Sequence, residues 1–231
     1  MGSRNGPRRT FFVRVYLQLL QVDSRSGQVP WECSQDLCKF ISTAILDPSS
    51  VLCQVITTVV DELRIVELGC GLGDPTCSLL TCLTDSGYSG KIAVLFQDYN
   101  QETIDSVTRP NVESKLSHFP PNVKERIQIN FMACPWDKCD VSTFHIILSS
   151  ECIYREDLFE SFADVLDKTL SVSNSVCYVA AKRYYFGCGG GTIEFSEFLS
   201  NSPTYSDLHV NVVHVEENGF SNTREILEIH R

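Results

Sequence analysis

Short runs of β-branched and apolar residues, each cut off by Gly, Asp, Asn or Ser, recur along the chain and predict strands. They are RIVELGC (64–70), KIAVLFQD (91–98), RIQINFMA (126–133), FHIILSSE (144–151), SVCYVAAK (175–182) and a closing pair at 210–217 and 224–231. The stretch NGFSNT separates the closing pair, and its Asn218-Gly219 favours a hairpin turn. Helical patterns fill the gaps. Asp74-Pro75 predicts a helix start with Asp as N-cap and Pro at the first helical position. Residues 101–117 read as helix that Pro110 must kink or divide. In 155–170, Leu158, Phe162, Val165 and Leu166 share one stripe, and 33–45 is a further amphipathic candidate.

Strand and helix alternate first, which implies parallel strands joined by crossover helices, and a final antiparallel hairpin closes the sheet. No repeat or low-complexity linker interrupts the pattern. Residues 30–231 are therefore expected to form a single α/β domain, with residues 1–29 as an N-terminal extension. The apolar run FFVRVYLQLLQV (11–22) is broken by Arg14 and too short to span a bilayer, and no signal peptide is read, so a soluble, intracellular protein is expected.

The formal net charge of −10 argues against bulk binding to a nucleic-acid backbone and is compatible with a basic protein partner or simple solubility. The eleven cysteines are an odd count, include no CxxC pair and stand apart from the five scattered histidines. No metal site is expected, and buried free thiols in a reducing compartment fit this usage best.

The chemistry begins after the first strand. VELGCGLGDP sets Gly69, Gly71 and Gly73 between a buried strand and a helix start, where glycine lets the backbone turn tightly and approach a ligand. The spacing is G-x-G-x-G rather than the dinucleotide G-x-G-x-x-G, and Glu67 and Asp74 flank it. Two carboxylates beside a pyrophosphate would repel it, whereas the ammonium and sulfonium of S-adenosyl-L-methionine welcome them. At the second strand end, Asp98 suits the two hydroxyls of a ribose, or is simply a helix cap or loop acid. Tyr99 and Trp136 offer faces to an adenine, although such a tryptophan on its own is more often core.

These stretches resemble the seven-strand S-adenosylmethionine-dependent methyltransferases, and among them the protein-histidine methyltransferases of the METTL-eighteen and Hpm-one type. The matching segments are WECSQDL (31–37), VELGCGLG (66–73), FQDYN (96–100) with VTRPNV (107–112), SSECIY (149–154) and AAKRYYFGCGGG (180–191). The resemblance implies a Rossmann-like seven-stranded sheet, mostly parallel, with helices on both faces. It implies cofactor contacts at Trp31, Glu32, Cys33, Ser34, Glu67, Gly69, Cys70, Gly71, Gln97, Asp98, Tyr99, Cys134, Pro135, Trp136 and Ser150. Its implied substrate is a histidine of the large-subunit ribosomal protein called L-three, met by a monomer in the cytoplasm and nucleus. The chain departs from the family pattern at Glu67, where aspartate is usual, in the more acidic loop 72–75, and in a longer stretch 74–90.

In parallel-sheet enzymes ligands bind beyond the carboxyl ends of the strands. AAKRYYFGCGGG follows the fifth strand, so Tyr184, Tyr185 and Phe186 are read as a wall for a flat ring. Gly189, Gly190 and Gly191 would let backbone pass close to an incoming peptide, or else form a flexible loop. Glu151 is the candidate acceptor for the far N–H of an imidazole, and Tyr154 a weaker candidate. The rival readings are transfer to lysine or another side chain, a catalytically silent binding subunit, and a dehydrogenase.

Overall fold

The most apolar strands lie side by side at the centre of a seven-stranded sheet. A computed structural model describes residues 31–170, 174–217 and 222–231, and Trp31–Arg231 forms one compact unit. The 1–29 extension and the Asn218-Gly219 turn lie outside the described residues. In chain order the main elements are α1 (Glu32–Ala44), α2 (Val51–Thr58), β1 (Glu62–Leu68), α3 (Asp74–Asp85) and β2 (Lys91–Asp98). A short α4 (Gln101–Thr103), a π-helical turn (Ile104–Thr108), α5 (Arg109–Ser117), α6 (Pro121–Lys124) and β3 (Ile127–Ala133) follow. The second half contains β4 (Ile146–Ser150), α7 (Phe159–Thr169), β5 (Val176–Lys182), α8 (Thr192–Asn201), β6 (His209–Glu216) and β7 (Arg224–His230).

The strand order is β3-β2-β1-β4-β5-β7-β6. β1 to β5 run parallel, with Val66 paired to Leu95 on one side and Ile147 on the other. β7 inserts antiparallel between β5 and β6. The chain leaves β1 towards β2 on one side and returns at β4 on the other. This reversal opens a crevice beyond the carboxyl ends of β1 and β4, where doubly wound sheets hold ligands.

Alternation along β1 feeds two cores. Leu63 and Ile65 pack with Leu37 and Ile41 of α1, Leu52 of α2 and Leu79, Leu80 and Leu83 of α3. Val66 and Leu68 face the other side, against Phe162, Val165 and Leu166 of α7 and Phe195 and Leu199 of α8. These aliphatic and aromatic side chains are fully or almost fully buried. Each is worth roughly 1.5–3 kcal/mol of transfer free energy, so the sheet centre is the rigid part on which the loops are mounted.

Two local expectations shift. Gly73, in a left-handed conformation, is the N-cap of α3, which puts Asp74 inside the helix. Glu67 supplies the cap instead, its Oε2 accepting the Thr76 N–H at 2.9 Å. The predicted break at Pro110 takes the form of the π-helical turn, which ends just before Arg109-Pro110 opens α5.

Candidate functional site

The loop after β1 owes its shape to left-handed glycines. Gly69, Gly71 and Gly73 have φ of 63°, 47° and 73°, which side-chain-bearing residues adopt at a penalty. A Cβ at Gly69 would lie 2.3 Å from Cys152 Sγ, so this glycine lets the β1 and β4 loops touch. A Cβ at Gly71 would meet nothing within 4 Å, so open space lies over it. The loop is braced from below. Asp98 accepts the Gly71 and Asn100 N–H groups on separate oxygens, both at 3.1 Å. Thr108 Oγ1 donates to Gly71 O and Asn111 Nδ2 to Leu72 O, each at 2.6 Å. VTRPNV is thus a buttress of the glycine loop, a role its apolar pattern did not disclose.

The side chain of Gln97, a predicted cofactor contact, faces the protein. Gln97 is 0% exposed and its side chain is spent internally. Its Oε1 accepts Gly69 N–H at 3.2 Å and Trp136 Nε1–H at 3.1 Å, while its Nε2 donates to Cys134 O at 2.7 Å. Gln97 therefore ties the glycine loop to the Cys134–Pro135–Trp136 turn. Trp136 is half-buried beside that loop, and its ring packs 4.8 Å from that of Phe162. Cys134 and Cys139 face each other across this turn at a Cα–Cα distance of 5.7 Å.

At the start of α1, Trp31 is 67% exposed, and Glu32 lies 3.7 Å from Arg224. Arg224 Nε also donates to Asp36 at 2.5 Å, fastening α1 to β7. Cys33 is 0% exposed, so its side chain faces the protein interior. Burial, then the neighbouring Glu151 carboxylate, push its thiol well above the usual range. Ser34 is buried beside it. Burial likewise raises Cys70 and takes Cys152 up to about 12. The thiols around the crevice stay protonated at neutral pH, which leaves no cysteine nucleophile there.

Directly after β4, Glu151 is one of two non-glycine residues with positive φ among the described residues, at 58°. Such strain concentrates at functional sites. Tyr185 hydroxyl donates to its Oε2, whereas Oε1 is buried with no hydrogen-bond partner. Ser150 is half-buried, and Tyr154 is exposed and meets the Tyr185 ring edge-on at 6.3 Å.

The late glycines receive a different role from the predicted one. Gly190 and Gly191 are buried, and a Cβ on Gly190 would sit 2.4–2.6 Å from backbone atoms of Ile153, Tyr154 and Arg155. Gly191, at φ 150°, would bring a Cβ within 2.2 Å of Arg183 O. They let the β5 loop lie against the β4 loop, with a bridge between Arg155 and Gly189, and do not face an incoming peptide. Tyr185 is half-buried, which leaves Tyr184 and the 87% exposed Phe186 as the accessible aromatics of the predicted wall.

A family model described as lysine methyltransferase matches residues 16–194. The chain belongs to that family. Curated relatives carry a different acceptor in their names. The chain is 32% identical over 203 residues to "Histidine protein methyltransferase 1 homolog" of Dictyostelium discoideum, covering 86% of this chain and 56% of the relative. It is 27% identical over 212 residues to the Bos taurus protein of the same name, covering 79% and 50%. The chain thus spans about half the length of these relatives. Among solved structures it is similar to magnesium protoporphyrin IX methyltransferase from Synechocystis PCC 6803 with bound SAH, with a TM-score of 0.57 at 11% identity and 95% of each chain covered. It is also similar to the methyltransferase domain of bacterial CtHen1, with a TM-score of 0.53 at 14% identity, covering 84% of this chain and 98% of that one. The fold is the Rossmann-like methyltransferase fold.

S-adenosyl-L-methionine is the cofactor of this family, and the crevice fits it. Its open floor is at Gly71, and the carboxylates beneath and beside the loop are Glu67, Asp74 and Asp98. The nearby cation Lys115 is already paired with Asp74. Burial lifts Glu67 to about 8, despite the Thr76 hydrogen bonds that pull it down. Glu67 is therefore mostly protonated at neutral pH and Lys115 is spent on Asp74, so Asp98 is the acid left at the loop, which suits the ribose hydroxyls of a phosphate-free ligand.

Proposed function

We propose that this protein transfers a methyl group to a histidine side chain of a protein substrate, and that this substrate is the large-subunit ribosomal protein L-three. The names of the curated relatives support histidine as acceptor. The formal net charge of −10 suits a basic ribosomal partner. A ribosomal substrate fits work in the cytoplasm and nucleus, and a monomer suffices because every side chain invoked comes from one chain.

In this reading Asp98 receives the ribose hydroxyls, and Tyr99 and Trp136 flank the adenine. Gly69, Cys70 and Gly71 line the path of the remaining chain, with Trp31, Glu32 and Ser34 at its far side and Pro135 and Ser150 at its edges. When bound, the cofactor supplies an electrophilic methyl on a sulfonium. The protein's own part is to present a neutral imidazole. One ring nitrogen then carries a lone pair and the other an N–H. Glu151 accepts that N–H at Oε1, which fixes the tautomer and turns the lone pair towards the methyl. It also stabilises the positive charge that grows on the ring and takes the proton that leaves afterwards. Tyr154 and Tyr184 bound the ring.

The Glu151 carboxylate carries the proposal: it stands at positive φ directly after β4, with Oε2 taken by the Tyr185 hydroxyl and the Cys33 thiol as its other close neighbour. The family description favours a second reading, an amine of lysine at the same carboxylate. Methyl transfer from labelled cofactor to purified L-three tests the assignment. Glu151→Gln is expected to lower kcat by roughly 10²-fold, the usual scale of a proton-handling side chain, with cofactor affinity unchanged. Full activity in that variant removes Glu151 from the chemistry.

A further inference from the structure

Glu151 does not stand alone. Its Oε2 is held by the Tyr185 hydroxyl, which also accepts the Lys182 backbone N–H at 3.2 Å. Tyr185 in turn donates its own N–H to Gly190 O at 2.8 Å, and Gly190 packs on the backbone of Ile153, Tyr154 and Arg155. Its ring is pinned edge-on by Tyr154, and Lys182 Nζ stands 5.7 Å from the ring centre. The side chain therefore has little freedom, and its single hydroxyl proton is aimed at one carboxylate oxygen.

We propose that Tyr185 is the positioning residue of Glu151: by occupying Oε2 it fixes the carboxylate plane at the end of β4. The inference rests on the functional reading above for its catalytic consequence, but the hydrogen bond itself can be tested separately. The other groups facing Glu151 are the Cys33 thiol of α1, itself a weak S–H donor to the carboxylate, and the Cys152 thiol of its own loop, with Arg224 and Asp36 behind Cys33. Tyr185 is the strong O–H donor among these groups.

The test is the Glu151 side-chain carboxyl resonance in carbon NMR of the cofactor-free protein at one neutral pH, assigned by its loss in Glu151→Gln. Tyr185→Phe is expected to move that resonance, and 3-fluorotyrosine at 185, which keeps the ring and makes the hydroxyl a stronger donor, to move it the opposite way. This second replacement decides the matter if the phenylalanine variant does not fold. An unmoved resonance in the folded variant overturns the proposal. In the transfer assay, Tyr185→Phe is expected to lower kcat by roughly tenfold, the scale of one hydrogen bond to a charged group, while the KM for cofactor stays fixed. If the wild type labels no histidine, the functional reading fails, and the resonance still decides the role of Tyr185.

Discussion

Replacing Gly190 with valine tests whether the two loops that flank the crevice form one unit. A Cβ there would come within 2.4 Å of Tyr154 C, 2.5 Å of Ile153 O and 2.6 Å of Arg155 N, all backbone atoms without a flexible end to swing away. Valine adds two methyl groups beyond that. Overpacking of this kind costs about 1–3 kcal/mol. Forcing the loops apart also threatens the hydrogen bond from Tyr185 N to Gly190 O, worth about 1 kcal/mol. Together these give a loss of about 2–4 kcal/mol, or a fall in Tm of roughly 5–15 °C for a domain of this length. Gly187 is the control. It has φ of 81° but no atom within 4 Å of a Cβ, so Gly187→Ala should lose only the left-handed penalty of about 1–2 kcal/mol. Thermal unfolding followed by circular dichroism measures both. A Gly190→Val protein melting within about 2 °C of wild type would refute the packing argument.

Asp98→Ala should weaken cofactor binding by about 1–3 kcal/mol in calorimetry and loosen the glycine loop, since Gly71 and Asn100 lose their acceptor; unchanged affinity would remove it from the site. Glu67 has its folded pKa raised by burial from 4.5 to about 8, so the folded state holds a proton that the unfolded chain releases. Its stabilising share is complete below pH 4.5 and lost as pH rises through about 8, and Glu67→Gln should flatten the decline of urea midpoints across that window. Trp136→Phe removes the donor to Gln97 Oε1 and should weaken cofactor binding while abolishing most of the fluorescence response to it.

The sheet was legible because each central strand is a short, dense run of apolar residues, and burial on both faces leaves such runs little choice. The antiparallel return of the last two strands was legible from their turn-rich connection. Helices α2 and α8 were not anticipated, because VLCQVITT and TIEFSEFLSN are short and their stripes, Leu52, Val55 and Ile56 in one and Thr192, Phe195 and Leu199 in the other, rest on few buried positions. In the crevice, the tight turn at Gly69, Gly71 and Gly73 was legible because left-handed backbone constrains residue type. The packing of Gln97, Cys33 and Gly190 was not legible, for a shared reason. They lie within segments that carry the resemblance, but whether a side chain faces the cavity or the protein depends on neighbours distant in sequence. Gln97 meets Trp136 at a separation of 39 residues. Tyr185 meets Glu151 at 34.

The central claim, methyl transfer to a protein histidine, is tested most directly by one mass-spectrometric measurement. The purified chain is incubated with isotopically labelled S-adenosyl-L-methionine and unmethylated large-subunit ribosomal proteins, and fragment spectra then locate the labelled methyl. The account predicts a labelled methylhistidine in L-three, strongly reduced with Glu151→Gln. A label confined to lysine, or none on any protein despite measured cofactor binding, would contradict it.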